Sequence, residues 1–310
     1  MNENQLRGLI AAPFTPMDEH GNLNLDPIGK YASHLIKTKV TGAFVCGTTG
    51  EGLSLTTEER KAVLEKWISC SGDTLKIIAH VGGNCLPQSI ELAAHAQDTG
   101  AWATGAFAPS FFKPANAEEL VSFLAPMAAA APELPFYYYH IPSLTGVNLP
   151  VIKLLSHAEN MIPNFAGVKF THFDLYDMQQ CIAYNHGRFQ ILHGYDEVLL
   201  AGLSLGAKAA VGSTYNYMPS LYLGIWDAYD RMDMEKAREL QQFSVKIVKI
   251  LIKYGGGVRA GKAFMKLSGI DCGPCRLPLT KFSDAEMDML KSELTEAGFF
   301  KMLDIGNKYN

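Results

Sequence analysis

Short apolar segments alternate with longer amphipathic segments along the first two thirds of the chain. Eight of the short segments have the length and composition of strands, namely residues 8–12, 42–46, 76–81, 104–108, 135–140, 165–170, 189–193 and 209–213. Several are apolar at consecutive positions, as in Ile77-Ile78-Ala79-His80-Val81. This pattern is typical of a parallel sheet whose faces are covered by helices.

Signals for helix starts lie between the predicted strands. The sequence Thr56-Thr57-Glu58-Glu59 is a capping box, and Asn116-Ala117-Glu118-Glu119 is an Asn variant of it. Pro150 stands where a helix can begin. Eight strands alternating with helices predict an α/β protein with one closed (β/α)8 TIM barrel. A doubly wound sheet is the structural alternative, but it gives no reason for a count of eight.

The strand signals stop after residue 218. A helical stripe follows and ends at Gly255-Gly256-Gly257, and it consists of Ala237, Leu240, Phe243, Ile247, Val248 and Leu251. Another capping box, Ser283-Asp284-Ala285-Glu286, opens a last helix. We therefore expect a single domain over residues 1–310, with a barrel core at 8–217 and C-terminal helices packed on it at 218–310.

Composition narrows the functional class. The chain has 310 residues, of which 48% are hydrophobic, and its 27 basic and 31 acidic side chains give a net charge of −4. This weakly acidic balance argues against a nucleic-acid partner, which usually requires clustered Lys and Arg. No apolar run approaches the roughly 18 residues that span a bilayer, and the first residues lack a hydrophobic signal region. We expect a cytoplasmic protein with no membrane partner.

The six cysteines are scattered, so a disulfide framework is not expected. Cys272-Gly273-Pro274-Cys275 has the spacing of a redox motif, but no βαβ context precedes it. A zinc site would need a second pair with similar spacing. We interpret these two residues as ordinary thiols that flank a turn, and we predict no metal.

Polar motifs follow several predicted strands, where the carboxyl-end face of a barrel would bring them together. These motifs are Gly47-Thr48-Thr49-Gly50-Glu51-Gly52, Tyr139-His140, Lys169, Gly194-Tyr195-Asp196-Glu197 and Gly212-Ser213-Thr214-Tyr215. In a barrel enzyme, this face carries the chemistry.

Lys169 lies within the apolar strand Phe165-Ala166-Gly167-Val168-Lys169-Phe170. Desolvation there would lower the pKa of its amine and make the amine a nucleophile toward a carbonyl. The resulting Schiff base would act as an electron sink for breaking a carbon–carbon bond. A lysine near a strand end also commonly extends to solvent, and this strand alone leaves both interpretations open.

Two further motifs carry candidate groups, one for binding a carboxylate and one for proton transfer. The glycines of Gly47-Thr48-Thr49-Gly50 allow close backbone approach, and its hydroxyl and N–H groups suit a carboxylate. The motif lacks the lysine of a phosphate-binding P-loop, and it can equally be a turn before the helix capped at Thr56. Tyr139 ends a strand, where its phenol can relay a proton or simply pack.

Taken together, the motifs resemble the N-acetylneuraminate lyase and dihydrodipicolinate synthase superfamily of Schiff-base aldolases. The resemblance covers residues 8–278 and rests, in order, on Gly47-Thr48-Thr49-Gly50-Glu51, Tyr139-His140-Ile141-Pro142, Gly167-Val168-Lys169 and Gly212-Ser213-Thr214. Three features resemble the sialic acid lyase branch of that superfamily: Gly194-Tyr195-Asp196-Glu197, Gly212-Ser213-Thr214-Tyr215-Asn216, and Leu144 where the synthases typically carry an Arg. The Arg binds the carboxylate of the synthase's substrate.

The resemblance implies a role for each candidate residue. Lys169 would form the imine with pyruvate or with open-chain sialic acid, and Tyr139 would carry the proton of the C4 hydroxyl. Thr48 and Thr49 would bind the carboxylate. The sugar would be held by Thr171, Gly194, Asp196, Glu197 and Ser213. The products would be N-acetylmannosamine and pyruvate, with no metal or organic cofactor, and relatives are commonly homotetramers.

One departure and two alternatives qualify this hypothesis. Many relatives carry a Tyr after strand four that extends the proton relay, but this chain has Phe111, so the relay would depend on Tyr139 with Thr49 or the substrate carboxylate. A sibling enzyme acting in dihydrodipicolinate synthesis or on a 2-keto-3-deoxy sugar acid is the first alternative, and both Leu144 and the Asp196-Glu197 pair oppose it. A non-catalytic binding or regulatory barrel is the second, and the presence of both Lys169 and Tyr139 opposes it.

Overall fold

Eight parallel strands form a closed barrel in the computed structural model, which describes residues 5–308. Each strand pairs with the next in sequence, and β8 closes the ring on β1. The strands are β1 (Gly8–Ala11), β2 (Gly42–Val45), β3 (Lys76–His80), β4 (Ala103–Phe107), β5 (Phe136–His140), β6 (Phe165–Phe170), β7 (Gln190–His193) and β8 (Ala209–Gly212). Every bound lies within one residue of the predicted segment, so the predicted (β/α)8 barrel is confirmed.

Helices connect successive strands, and a further helix follows the last strand. They are α1 (Pro27–Lys37), α2 (Thr57–Ser71), α3 (Leu86–Thr99), α4 (Ala117–Ala129), the single turn α5 (Pro142–Thr145), α6 (Val151–Met161), α7 (Leu175–Ala183), α8 (Leu199–Leu205) and α9 (Pro219–Asp230). At the start of α2, Thr56 Oγ1 accepts from the Glu59 backbone N–H and Glu59 Oε2 accepts from the Thr56 N–H. The predicted capping box is confirmed, as is the N-cap at Asn116 before α4.

Four more helices form a C-terminal extension. They are α10 (Met234–Lys253), α11 (Gly256–Leu267), α12 (Asp284–Ala297) and α13 (Phe299–Lys308). Gly255 has a φ of 101°, which an L-residue with a side chain rarely adopts, and it separates α10 from α11. α10 packs on α8 and α9, and α11 contacts the turn after β8. The extension therefore reaches the carboxyl ends of the strands. The division of one domain into 8–217 and 218–310 remains our proposal.

Side chains alternate between two buried layers. The barrel interior includes Ile10, Phe44, Ile78, Phe107, Tyr137, Leu192 and Val211. The layer between strands and helices takes neighbouring positions such as Leu9, Val45 and Val168. A polar residue at an interior position near a strand's carboxyl end is thus held inside the barrel, at the face where we expect chemistry.

The cysteines take no part in cross-linking, because all six are free thiols. Burial raises the pKa of Cys272 to about 12 and that of Cys275 to about 11, so both stay protonated and unreactive at neutral pH. Across residues 5–308 no three His, Cys, Asp or Glu side chains are grouped so that they could hold a metal ion. In the same residues, no helix has the length and apolar character to cross a membrane.

Candidate functional site

Lys169 lies inside the barrel near the carboxyl end of β6. Its neighbours Val168 and Phe170 face the helices, so the alternation of the strand turns Lys169 inward, where it is only 4% exposed. Its Nζ lies 4.4 Å from the centre of the Phe44 ring. Burial lowers the pKa of this amine to about 7, with Asp196 acting in the opposite direction. A large fraction of the amine is therefore neutral and nucleophilic at physiological pH.

Tyr139 stands directly beside Lys169. The two residues are register partners on β5 and β6, and Lys169 Nζ lies 4.0 Å from the centre of the Tyr139 ring. Burial raises the pKa of the phenol to about 12, and the hydroxyls of Thr48 and Thr171 act in the opposite direction. Tyr139 is therefore a protonated phenol next to the amine, and it can pass a proton only by exchanging one with a partner.

That partner comes from residues 47–52 after β2, which we call the threonine loop. Thr48 Oγ1 lies 3.4 Å from the Tyr139 hydroxyl. The loop is closed on itself by bonds from the Glu51 N–H to the Thr48 carbonyl (3.0 Å) and from the Gly52 N–H to the Gly47 carbonyl (3.1 Å). Thr49 is buried, and no hydrogen bond within residues 5–308 joins it to Tyr139. Of the two threonines in this loop, Thr48 therefore has the hydroxyl that can take part in a relay.

Asp196 is a buried carboxylate at the end of β7. Its Oδ2 accepts from the Thr214 N–H (2.8 Å) and the Thr214 hydroxyl (2.6 Å). A Cβ added at Gly212 would lie 1.7 Å from Asp196 Oδ1, so only glycine fits there. Burial raises the pKa of Asp196, while Thr214 and Lys169 lower it. The carboxylate is thus fixed between the ends of β7 and β8.

The remaining predicted sugar-binding residues surround Asp196. A Cβ on Gly194 would lie 2.0 Å from Thr171 Oγ1, so this glycine lets the ends of β6 and β7 approach closely. Burial, and then the charge of Asp196, raise the pKa of Glu197 to about 7. Ser213 follows β8 and is half-buried, and no hydrogen bond in the described chain links it to Lys169.

A cavity of about 310 Å³ opens beside the threonine loop, and its walls are mostly apolar. Thr48 and Leu144 both line it. Leu144 is exposed and cannot form the bidentate pair with a carboxylate that an Arg would form. Phe111 is 78% exposed and contacts Phe112 edge to face, so it lies at the surface and supplies no proton.

Three neighbours of the site carry no assigned role in the sequence prediction. His80 is buried inside the barrel, with its ring centre 6.1 Å from that of Tyr139. Its position two residues after Ile78 places both side chains on the same face of the strand, and this spacing was the signal that could have identified His80 as an interior residue. Thr214 holds Asp196, although the motif containing it pointed to Ser213. Tyr195 stacks on Phe173 with ring centres 4.1 Å apart, which no local pattern indicates.

Comparisons with known proteins agree over nearly the whole chain. Residues 5–297 match the family model described as the Dihydrodipicolinate synthetase family. The N-acetylneuraminate lyase of Sus scrofa is 45% identical over 305 residues, which are 97% of this chain and 96% of that relative. The N-acetylneuraminate lyase of Mus musculus is 47% identical over 281 residues, which are 89% of this chain and 88% of that relative.

Solved structures give the same grouping. The N-acetylneuraminate lyase of Proteus mirabilis is 40% identical with a TM-score of 0.92, over 95% of this chain and 99% of that chain. A dihydrodipicolinate synthase of Bacillus anthracis is 26% identical with a TM-score of 0.87, over 94% of this chain and 98% of that chain. The fold is common to both, but the sequence is closer to the lyase. The chain therefore belongs to the dihydrodipicolinate synthetase family and, within it, to the group of the N-acetylneuraminate lyases.

Proposed function

We propose that this protein is a class I aldolase that reversibly cleaves N-acetylneuraminate to N-acetylmannosamine and pyruvate. The observation that carries the proposal is the Lys169 amine, which is buried, has a pKa lowered to about 7, and lies 4.0 Å from the Tyr139 ring. A neutral amine inside a barrel, next to a phenol, is what imine formation and proton transfer require.

The first step is condensation. The neutral Lys169 Nζ adds to the keto carbon of the open-chain substrate, and loss of water with uptake of one proton from solvent leaves a protonated imine. The substrate carboxylate next to that carbon binds the hydroxyls and backbone N–H groups of Thr48 and Thr49. These contacts orient the keto carbon toward the amine.

The second step breaks the bond between C3 and C4. Its electron pair moves to the imine nitrogen, leaving an enamine of pyruvate on Lys169. The C4 hydroxyl gives its proton to the Tyr139 oxygen as the aldehyde forms, while Tyr139 passes its own proton by way of Thr48 Oγ1, 3.4 Å away, to the substrate carboxylate. The carboxyl group then gives its proton to C3, and hydrolysis of the protonated imine releases pyruvate and one proton and restores the neutral amine.

The sugar portion of the substrate would bind at the end of the site that carries Asp196 and Glu197. Asp196, Glu197 and Ser213 follow β7 and β8, and with Thr171 and Gly194 they lie on the face that holds Lys169. Carboxylates can accept hydrogen bonds from several hydroxyl groups at once. The polyhydroxylated tail of the sugar has such groups, and a small aldehyde does not. Leu144 supports the same choice against a dicarboxylate, because it offers no guanidinium.

Substrate identity is tested by a panel. We expect N-acetylneuraminate to release pyruvate, and pyruvate with a borohydride reagent to add mass at Lys169 in the wild type but not in Lys169→Ala. Consumption of pyruvate with aspartate semialdehyde, without cleavage of N-acetylneuraminate, would establish the synthase alternative. An unmodified Lys169 under saturating pyruvate contradicts the Schiff-base mechanism itself.

Assembly and location belong to the same proposal. We infer a cytoplasmic homotetramer, supported by the resemblance to tetrameric relatives. Light scattering on the purified protein should give four times the 33.9 kDa mass of the chain. A mass of one or two chains at micromolar concentration contradicts the tetramer without affecting the proposed chemistry.

A further inference from the structure

The threonine loop is tied to the C-terminal extension by a buried ion pair. Glu51 Oε1 lies 2.7 Å from Lys262 Nζ, and both side chains are 3% exposed. Glu51 Oε2 accepts from the Arg276 N–H (2.8 Å), and Lys262 Nζ donates to the Pro274 carbonyl (2.7 Å). Both carboxylate oxygens of Glu51 are thus in contact with groups that lie beyond residue 218.

Glu51 also controls the shape of the loop that contains it. Its φ of 53° is left-handed, which is uncommon for a residue with a side chain. Its N–H donates to the Thr48 carbonyl at 3.0 Å, which sets the peptide between Thr48 and Thr49. That peptide carries a backbone N–H proposed to bind the substrate carboxylate. The side-chain anchor and the binding groups therefore belong to one short, rigid unit.

We infer that Glu51 and Lys262 form a positioning pair, through which α11 holds the threonine loop in its carboxylate-binding conformation. The inference rests on the proposed function and adds to it a role for two residues that do not touch the substrate. A buried ion pair adds little net stability, but loss of one partner leaves an uncompensated charge. Here the uncompensated charge would be an anion beside the binding site of another anion.

The test measures the pyruvate concentration at which half of Lys169 is trapped with cyanoborohydride, read by intact mass. For Lys262→Met we expect this concentration to rise at least about tenfold, with full trapping still reached at saturation. The double variant Glu51→Gln/Lys262→Met carries no unpaired charge, so we expect it to fold. Its half-trapping pyruvate concentration should still rise about threefold, because the ion pair no longer anchors the threonine loop.

A matched control separates positioning from stability. Arg259 lies on the same helix as Lys262 and contacts the two oxygens of Glu286 on α12 at 2.9 and 3.0 Å, away from the threonine loop. Glu286→Gln should lower the melting temperature and leave half-saturation unchanged. If the double variant is half-trapped at the wild-type pyruvate concentration and only its melting temperature falls, the positioning role is overturned. The proposed function is unaffected by that result. Absence of any adduct in the wild type overturns the proposed function and this role together.

Discussion

Lys169 and Asp196 influence each other's ionisation inside the barrel. Asp196 raises the pKa of the Lys169 amine against the larger effect of burial, and Lys169 lowers the pKa of the Asp196 carboxyl in the same way. The amine therefore titrates near neutrality because two opposing effects are combined. Changing the carboxylate should move the pH at which the enzyme becomes reactive.

For Asp196→Asn we expect the pH midpoint of imine trapping to fall below about 7, because the charge of Asp196, which favours the ammonium, is removed. The measurement is the initial rate of adduct formation with pyruvate between pH 5 and 9. Glu197→Gln is the matched control, since Glu197 is the next residue and does not contribute to the lysine's shift. A midpoint that is unchanged or higher in Asp196→Asn contradicts the coupling.

Replacement of Lys169 should stabilise the fold at low pH. The amine has a pKa of about 7 in the folded state against 10.5 in the unfolded state, so the folded state binds fewer protons between these values. Burial of the charge lowers the free energy of unfolding by its full amount, at most roughly 5 kcal/mol, below pH 7. This loss decreases as the pH rises and vanishes above pH 10.5. Lys169→Met should therefore unfold at a higher denaturant concentration than the wild type at pH 6.

The same comparison at pH 10 should show little difference between Lys169→Met and the wild type. An advantage of the variant that is equal at both pH values would show that improved packing, not removal of a buried charge, is responsible.

Removal of the Tyr139 hydroxyl should affect turnover more than imine formation. In Tyr139→Phe we expect kcat for N-acetylneuraminate cleavage to fall about 100-fold or more, while trapping of pyruvate stays within severalfold of wild type. Tyr137→Phe is the control, because its hydroxyl donates to Gln190 at the amino end of the barrel (2.9 Å). Equal losses of both readouts in Tyr139→Phe would remove its role as a relay.

Gly212→Ala should displace the Asp196 carboxylate, since the added Cβ would lie 1.7 Å from Asp196 Oδ1. We expect a stability loss of about 1–3 kcal/mol and a raised KM for N-acetylneuraminate. Gly29→Ala on α1 is the control, because its added Cβ would only reach Cys70 Sγ at 3.8 Å. A variant with normal KM would show that the position of Asp196 is not required for sugar binding.

Local patterns were sufficient to predict the strands and several helix starts. Thr56 and Glu59 form a capping box within four residues, and a strand's apolar run is complete in five or six. Lys169 was recognisable because its strand is apolar throughout. Single segments left the roles of Lys169 and Tyr139 open, and the order of the motifs favoured the catalytic interpretation, which stays a prediction.

Contacts between distant parts of the chain were not predictable in this way. Glu51 and Lys262 are both charged residues that would ordinarily face solvent, and only the packing of α11 against the threonine loop buries them together. Thr214 bonds Asp196 because β7 and β8 end side by side, a relation set by barrel closure. In the sequence, His80 is a polar residue within an apolar strand, and no local pattern indicates that Tyr139 lies next to it in the barrel.

The seam between β1 and β8 has a consequence for synthesis of the chain. Residues 8–11 hydrogen-bond in register with residues 209–212, so β1 cannot complete its pairing until β8 has been synthesised. During that interval its outer edge is open to pairing with other nascent chains. At the usual elongation rate of about 5–20 residues per second, the wait lasts on the order of ten to forty seconds. Chaperone protection during translation should therefore matter more for this fold than for a protein built from local contacts.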